Sequence, residues 1–157
     1  MALKFKILVA TSERIRSTTK KKEKVSLIAR MLKQTKGKEI SLAAQFLAGI
    51  LPPGRLGIGW STIQEAIRDL KSAPSSLSIK EVQAYLEDLS RTAGAGSSHR
   101  KKQTLRELFS KTAEKEARFL TGLILEEVRQ GALEGLVLEA IAQAASLPFS
   151  SVRQAYM

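Results

Sequence analysis

The chain has 157 residues, of which 43% are hydrophobic and 26% charged, and this balance predicts one folded globular domain rather than a disordered chain. It contains no cysteine, which excludes disulfides, thiolate metal sites and cysteine nucleophiles. The formal net charge is +11, and residues 1–40 hold 12 Lys and Arg against 3 acidic residues. This excess favours a polyanionic partner, nucleic acid or an anionic membrane, with a solvated lysine-rich surface as the alternative.

Apolar residues recur at three- and four-residue spacing in the first half of the chain, which predicts helices. The predicted helices are a short one over residues 3–9, an amphipathic one from Val25 to about Lys36, an apolar one after Ser41, and one after Ser61 or Thr62 that reaches Leu70. The residues predicted to cap or end these helices are Ser12, Ser17, Gly37, Ser41 and the run Pro52-Pro53-Gly54.

The second half continues the helical pattern after a Ser- and Pro-containing linker at residues 72–76. Ser78 is predicted to begin a helix whose inward-facing side chains are Val82, Leu86 and Leu89. Further helices are predicted over about residues 99–111, 114–129, 134–145 and 150–156, with a Gly- and Ser-rich loop at residues 93–98. Long alternating runs are absent from the sequence, so we expect an all-α fold.

One helical pattern occurs twice in the chain. Residues 44–51 recur as residues 117–124, Glu65-Ala66-Ile67 recurs as residues 139–141, and the pair Met31-Leu32 corresponds to residues 108–109. The repeat predicts a single globular multi-helix domain made of two pseudo-symmetric helical halves, about 1–73 and about 77–157. Two matched glycine-containing loops suit a target that also repeats itself, such as the two strands of a duplex.

Three glycine-containing loops, at residues 54–59, 94–98 and 129–131, precede predicted helices. Glycine lets the main chain approach a ligand closely, and the helix N-terminus that follows presents unpaired N–H groups to an anion. Ordinary turns and helix ends remain the alternative for each loop, but three of them on a basic chain favour phosphate contact. The lysine run at residues 20–24 is either a solvated face or an extension of that contact surface.

Catalytic residues are few. His99 is the only histidine, with no acidic residue near it in sequence to orient it, so we interpret it as exposed or phosphate-facing. The glycine pairs Gly57/Gly59 and Gly94/Gly96 do not follow a strand and lack the ending of a nucleotide-binding loop. Trp60 and Phe119 have a spacing more typical of core side chains than of residues that stack on bases.

The chain resembles the N-terminal DNA-binding domain of ATP-dependent DNA ligases of the archaeal, bacterial and eukaryotic replicative type. The resemblance covers essentially the whole chain and is carried by residues 54–59, 92–102 and 117–135. It implies a helical domain that binds the minor groove on both sides of a nick and helps the adenylation and OB-fold domains encircle the duplex. The residues implied to contact DNA are Arg55, Gly57, Gly59, Gly94, Gly96, Ser97, Ser98, Arg100, Lys101, Lys102, Arg129, Gly131 and Leu133.

The sequence departs from the complete ligases in one respect: it has no Lys-x-Asp-Gly run, in which the nucleotidyl-transfer lysine of that family lies. The resemblance therefore implies no catalytic residue, ATP pocket or metal ligand in this chain, and assigns ATP and magnesium to a full-length ligase parent. The chain stops inside a predicted helix, so we expect a fragment that lacks the adenylation and OB-fold domains.

Lysines interrupt the short apolar stretch of residues 1–10, a pattern unlike the core of a signal peptide, and no apolar run reaches about 20 residues. We therefore expect a cytoplasmic, nucleoid-associated protein without a membrane partner. The expected partners are double-stranded, nicked DNA and the catalytic core of the same polypeptide. Two alternatives remain open from the residues alone: a basic helical scaffold that binds an acidic protein, and an RNA-binding domain.

Overall fold

The computed structural model describes residues 2–51, 53–54, 56–127, 135–137 and 139–142, and its regular elements in these ranges are helices. In chain order they are α1 (Phe5–Arg16), α2 (Lys21–Leu32), α3 (Lys38–Leu47), α4 (Trp60–Ala66), α5 (Ile79–Arg91), α6 (Ser97–Phe109) and α7 (Glu114–Ile124). Residues 135–137 and 139–142 are also helical, and we call them the C-terminal helical segment. The all-α prediction is confirmed.

Helices α1 and α5 start from one antiparallel bridge between Lys4 and Ser78. The Phe5 amide donates to the Leu77 carbonyl at 3.0 Å, and the Ile79 amide donates to the Leu3 carbonyl at 2.9 Å. The two bridged segments lie 74 residues apart, close to the spacing of the sequence repeat. This pair of hydrogen bonds therefore joins equivalent positions of the two repeats. The bridge therefore marks a pseudo-two-fold axis, and the repeat begins one helix earlier than the sequence pattern indicated.

The core lies across the same axis. The ring of Phe5 packs edge-on against Phe46, with centroids 6.5 Å apart, and against Phe119, with centroids 5.9 Å apart. Phe46 and Phe119 occupy the same position of the sequence repeat and are both buried. Each half thus contributes one aromatic ring that packs against Phe5. The prediction that Phe119 belongs to the core is confirmed.

Two buried glutamates tie the chain ahead of α1 and α5 to the third helix of each half. Glu39 of α3 accepts the Leu3 amide at 3.1 Å. Glu116 of α7 accepts the Ser75 hydroxyl at 2.9 Å and the Ala113 amide at 2.9 Å. A buried carboxylate needs such donors, because burial without them is costly. Sequence reasoning missed both residues, since a glutamate on a helix usually faces solvent.

The predicted helix starts are correct at Ser78 and wrong at the other predicted caps, including Ser61 and Thr62, which both lie inside α4. Ser78 caps α5 by accepting the Glu81 amide at 3.2 Å, while the Glu81 carboxylate accepts the Ser78 amide at 3.1 Å. Ser12 is buried inside α1, Ser17 stands at the C-terminal end of that helix, and Ser41 lies inside α3. Helix α1 runs through Ser12, α2 begins only at Lys21, and α3 begins at Lys38, ahead of Ser41.

Five helix ends also differ from prediction. Helix α1 continues to Arg16 instead of ending near residue 9, and α2 ends at Leu32 rather than about Lys36, so Gly37 precedes α3 instead of ending α2. Helix α3 ends at Leu47, ahead of the Pro52-Pro53-Gly54 stop, and Gly49 follows in a left-handed conformation with φ +81°. Helix α4 ends at Ala66 rather than Leu70. Helix α7 ends at Ile124 rather than Arg129. The expected helix over residues 150–156, and parts of the one over residues 134–145, lie outside the described residues.

Candidate nucleic-acid interface

Two basic segments occupy equivalent places in the two halves. The first, residues 17–24, joins α1 to α2; the second, residues 94–102, leads from the end of α5 into α6. The short connections make α1 antiparallel to α2 and α5 antiparallel to α6. Because α1 has 12 residues and α5 has 13, each basic segment lies a helix length, about 18–20 Å, from the Lys4–Ser78 bridge.

Arg100 holds the backbone of the second basic segment in place. Its guanidinium donates to the Ala93 carbonyl at 2.8 Å and to the Ala95 carbonyl at 3.1 Å. Gly94, between these carbonyls, has φ +87°, and Gly96, directly after them, has φ +75°, conformations that favour glycine. The loop therefore has a defined shape before any ligand binds, and its turn is exposed.

The structure brings most of the predicted contact residues of this segment together. Ser97 and Lys101 are half-buried and Ser98 is exposed, all within the first two turns of α6, whose start has no side-chain cap. His99 is exposed in the same turn. Lys102 faces elsewhere: its ammonium group forms an ion pair with Glu65 of α4.

The glycine loop ahead of α4 has an exposed backbone between two buried side chains. Leu56 and Ile58 are each 7% exposed, whereas Gly57 and Gly59 face solvent. Gly57 has φ +67°, and a Cβ added to either glycine would meet nothing within 4 Å. This backbone is therefore open to a ligand, although α4 itself is only seven residues long.

Helix α4 packs against α6 of the other half. Glu65 pairs with Lys102, and Arg106, one turn further along α6, donates to the carbonyls of Ala66 at 3.1 Å and Arg68 at 3.0 Å. Arg68 follows the last residue of α4, so Arg106 fixes the end of that helix and the turn after it. The loop at residues 56–59 leads directly into α4, the helix that these contacts fasten to α6.

The hydrogen bond and positive charge of Lys102 hold the pKa of Glu65 below its ordinary value of 4.5. The equivalent glutamate, Glu139 of the C-terminal helical segment, pairs with Lys21 of α2 at 3.9 Å. Glu65 and Glu139 are exposed, and the alanines that follow them, Ala66 and Ala140, are buried. Thus α4 contacts α6, and the C-terminal helical segment contacts α2. The last helical segment of each half therefore contacts the second helix of the other half.

The prediction that Trp60 belongs to the core is wrong. The side chain is 57% exposed, and among the residues that the structure describes it is the large hydrophobic side chain that lies at the surface. It follows Gly59 at the first position of α4. Its spacing was misleading because the two apolar side chains before it, Leu56 and Ile58, already fill the core beneath the loop.

Four predicted contact residues, Arg55, Arg129, Gly131 and Leu133, lie outside the described residues, as does the loop at residues 129–131. Within the described ranges, no group of three His, Asp or Glu side chains is arranged to hold a metal ion. The helices that the structure describes are each too short or too polar to cross a membrane.

The fold and the surface define a basic helical domain with two glycine- or lysine-rich segments related by a pseudo-two-fold axis. The profile of the family described as "DNA ligase N terminus" matches residues 64–142, half of the chain. The chain belongs to this DNA ligase N-terminus family, which confirms the resemblance seen in the sequence.

Relatives extend this similarity over nearly all of the chain. The chain is 39% identical over 153 residues to a probable DNA ligase of Nocardia farcinica, which covers 98% of this chain and 29% of that protein. It is 39% identical over 150 residues to one of Saccharopolyspora erythraea, covering 96% of this chain and 29% of the relative. A third, from Anaeromyxobacter dehalogenans, is 37% identical over 155 residues, covering 96% and 30%. The chain thus spans less than a third of the length of these curated relatives.

Proposed function

We propose that this chain is a non-catalytic DNA-binding module that grips duplex DNA around a nick for an ATP-dependent DNA ligase in replication and repair. Membership of the DNA ligase N-terminus family supports the assignment to DNA. The observation that carries it is the pair of basic segments, residues 17–24 and 94–102, at equivalent positions on either side of a pseudo-two-fold axis. The two antiparallel strands of a duplex present phosphates with the same approximate symmetry.

Charge at the start of α6 supports a phosphate ligand there. The first turn of α6 contains Arg100 and no acidic residue. A cation near a helix N-terminus opposes the helix dipole, by about 0.3–1 kcal/mol at an exposed site. A bound phosphate would be attracted both by the cation and by the helix end, so the arrangement favours an anion.

The proposed contacts divide by chemistry. The glycines at positions 57, 59, 94 and 96 let the backbone approach the sugar–phosphate chain. Hydroxyl groups and cations then neutralise phosphates, from Ser97, Ser98, Arg100, Lys101 and Lys102, together with Arg55, Arg129, Gly131 and Leu133 outside the described residues. Such contacts position a protein without reading base sequence, so we expect recognition of duplex shape with little sequence preference.

The proposal treats residues 1–157 as one DNA-binding domain with halves of about 1–73 and about 77–157, acting beside adenylation and OB-fold domains of the same polypeptide. ATP and magnesium would act in that catalytic core. Residues of this chain do not fit them, because the sequence has no Lys-x-Asp-Gly run and its described part has no metal-ligand cluster. No step of nucleotidyl transfer is therefore assigned here. A cytoplasmic, nucleoid-associated location follows from the same proposal.

The test is equilibrium binding of the chain to nicked duplex, intact duplex, single-stranded DNA and duplex RNA of one sequence, across a salt series. We expect duplex DNA to bind with a log–log salt slope of about −0.9 per phosphate contacted, and the nicked duplex to bind tightest. Preference for duplex RNA would favour the RNA-binding alternative. Absence of duplex DNA binding at low salt, with capture of an acidic protein that survives nuclease treatment, would favour the scaffold alternative.

A further inference from the structure

The exposed indole of Trp60 is not explained by the fold. Burial removes large apolar side chains from water, and aromatic side chains contribute the most area. The neighbouring apolar residues obey this rule, since Leu56 and Ile58 are 7% exposed, while Trp60 is 57% exposed. The segment from 56 to 60 thus directs its aliphatic side chains inward and its aromatic side chain outward.

The backbone around Trp60 is open in the same direction. Gly57 and Gly59 are exposed, and neither has an atom within 4 Å of the place a side chain would take. A partner can therefore reach the main chain and the indole ring at once. An exposed aromatic ring beside an accessible backbone is an arrangement that suits a ligand with an apolar face and a polar edge.

Charge identifies the chemistry of that ligand. Trp60 begins α4, which packs against α6, the helix that carries Arg100 and Lys101, and Lys102 is bound to α4 through Glu65. A ligand that covers the indole is therefore a polyanion with flat or apolar surfaces. A DNA duplex has both features in its minor groove, where deoxyribose rings and base edges lie between two rows of phosphates.

We propose that Trp60 is a DNA-contacting residue, whose indole ring packs against deoxyribose and base edges in the minor groove beside the phosphates held by the loop at residues 56–59. This inference rests on the proposed function and adds to it an apolar contact, which phosphate neutralisation does not provide. The contact is distinct from the charged ones because it should not depend on salt.

The experiment uses the fact that the chain contains one tryptophan, so indole fluorescence reports on position 60 alone. Binding is measured by the anisotropy of labelled nicked duplex, and indole emission and acrylamide quenching are recorded in the same titration. We expect DNA to change the emission and to protect the indole from acrylamide, with the same midpoint as the anisotropy curve. Anisotropy that reports binding while emission and quenching stay constant would overturn the inference and leave the proposed function standing. Absence of anisotropy change would instead remove the proposed function itself.

Substitutions of Trp60 test how much the indole contributes to the affinity for duplex DNA. Trp60→Ala is expected to weaken duplex binding about tenfold, the order seen when an aromatic contact to nucleic acid is removed, with an unchanged salt slope. Trp60→Phe should recover most of the loss. Lys101→Gln is the matched control, since it should reduce the salt slope while the indole stays protected in the complex. Because the side chain is exposed, circular dichroism of Trp60→Ala should match the wild type. Equal affinity of Trp60→Ala and wild type would contradict the proposal.

Discussion

Lys102 of α6 donates to the carboxylate of Glu65 in α4, so a cation assigned to DNA is held by an acid from the other half of the molecule. The same contact fastens α4 to α6 beside the exposed loop at residues 56–59. A phosphate that recruits Lys102 must therefore compete with Glu65. The ion pair positions the lysine near the surface and at the same time lowers its availability.

Replacing Glu65 with glutamine should strengthen DNA binding. The change removes a negative charge from the proposed surface and releases Lys102, and because an exposed ion pair is weak and screened by salt, we expect a modest gain in affinity. Glu114→Gln is the control, because it removes the same charge from an ion pair with Arg118 on α7, away from the proposed surface. Anisotropy titrations at two salt concentrations would measure both. Equal effects of the two variants would mean that only net charge matters.

The titration of Glu65 should report the same contact. Its pKa is lowered from 4.5 chiefly by the hydrogen bond from Lys102, so the stabilisation that it contributes is present above pH 4.5 and is lost as the pH falls through the lowered pKa. Lys102→Gln should therefore raise the Glu65 pKa towards 4.5, observed by NMR of the side-chain carboxyl carbon. Saturation with DNA should raise it as well if phosphate recruits the lysine. An unchanged pKa in Lys102→Gln would show that another cation lowers it.

The aromatic cluster across the pseudo-two-fold axis gives a stability prediction. Phe46→Leu and Phe119→Leu each remove one edge-on contact with Phe5, which should lower the free energy of unfolding by about 1 kcal/mol beyond the loss of buried area. Phe5→Leu removes both contacts and should cost about 2 kcal/mol. Urea denaturation followed by circular dichroism measures the three values. If Phe5→Leu costs no more than either other variant, the rings do not act as a shared cluster.

Patterns with a local cause were predictable from the sequence. The spacing of Phe46 and Phe119 identified the repeat, because residues at the same position of two similar helices face the same core. Ser78 was recognised as a helix start because Val82, Leu86 and Leu89 follow it at helical spacing. Both predictions rest on residue spacing along helices, and the structure confirms the cap at Ser78 and the burial of Phe46 and Phe119.

Features that depend on contacts between distant residues were not predictable. The Trp60 side chain is exposed while Leu56 and Ile58 occupy the core, and the sequence alone does not show which of three apolar residues separated by glycines will be buried. The end of α7 was missed because Glu126 takes the left-handed conformation, with φ +61°, that glycine usually supplies at a helix end. The ion pair of Glu65 with Lys102 joins the two halves of the chain, and no pattern in the neighbouring sequence predicts it.

Arg100 should act through loop shape as well as charge. Arg100→Lys keeps the charge but loses the guanidinium bonds to the Ala93 and Ala95 carbonyls, so we expect duplex binding to weaken about fivefold, the equivalent of about 1 kcal/mol of lost hydrogen bonding. The salt slope should stay the same because the charge is retained. Arg118→Lys, on α7, keeps charge in the same way and should bind like wild type. Anisotropy across a salt series separates the two effects, and a wild-type affinity for Arg100→Lys would show that the bonds to the loop do not matter for DNA.

The first basic segment should bind DNA as the second one does. Lys22 is exposed at the start of α2, whereas Lys80 is exposed near the Lys4–Ser78 bridge, about a helix length from either basic segment. Lys22→Gln should weaken binding to unrelated duplex sequences alike and reduce the magnitude of the salt slope by about 0.9, as expected for one lost phosphate contact. Lys80→Gln removes the same charge and should leave the slope unchanged. Identical slopes for the two variants would mean that residues 17–24 act only through long-range attraction, and that the duplex contacts one half of the domain rather than both.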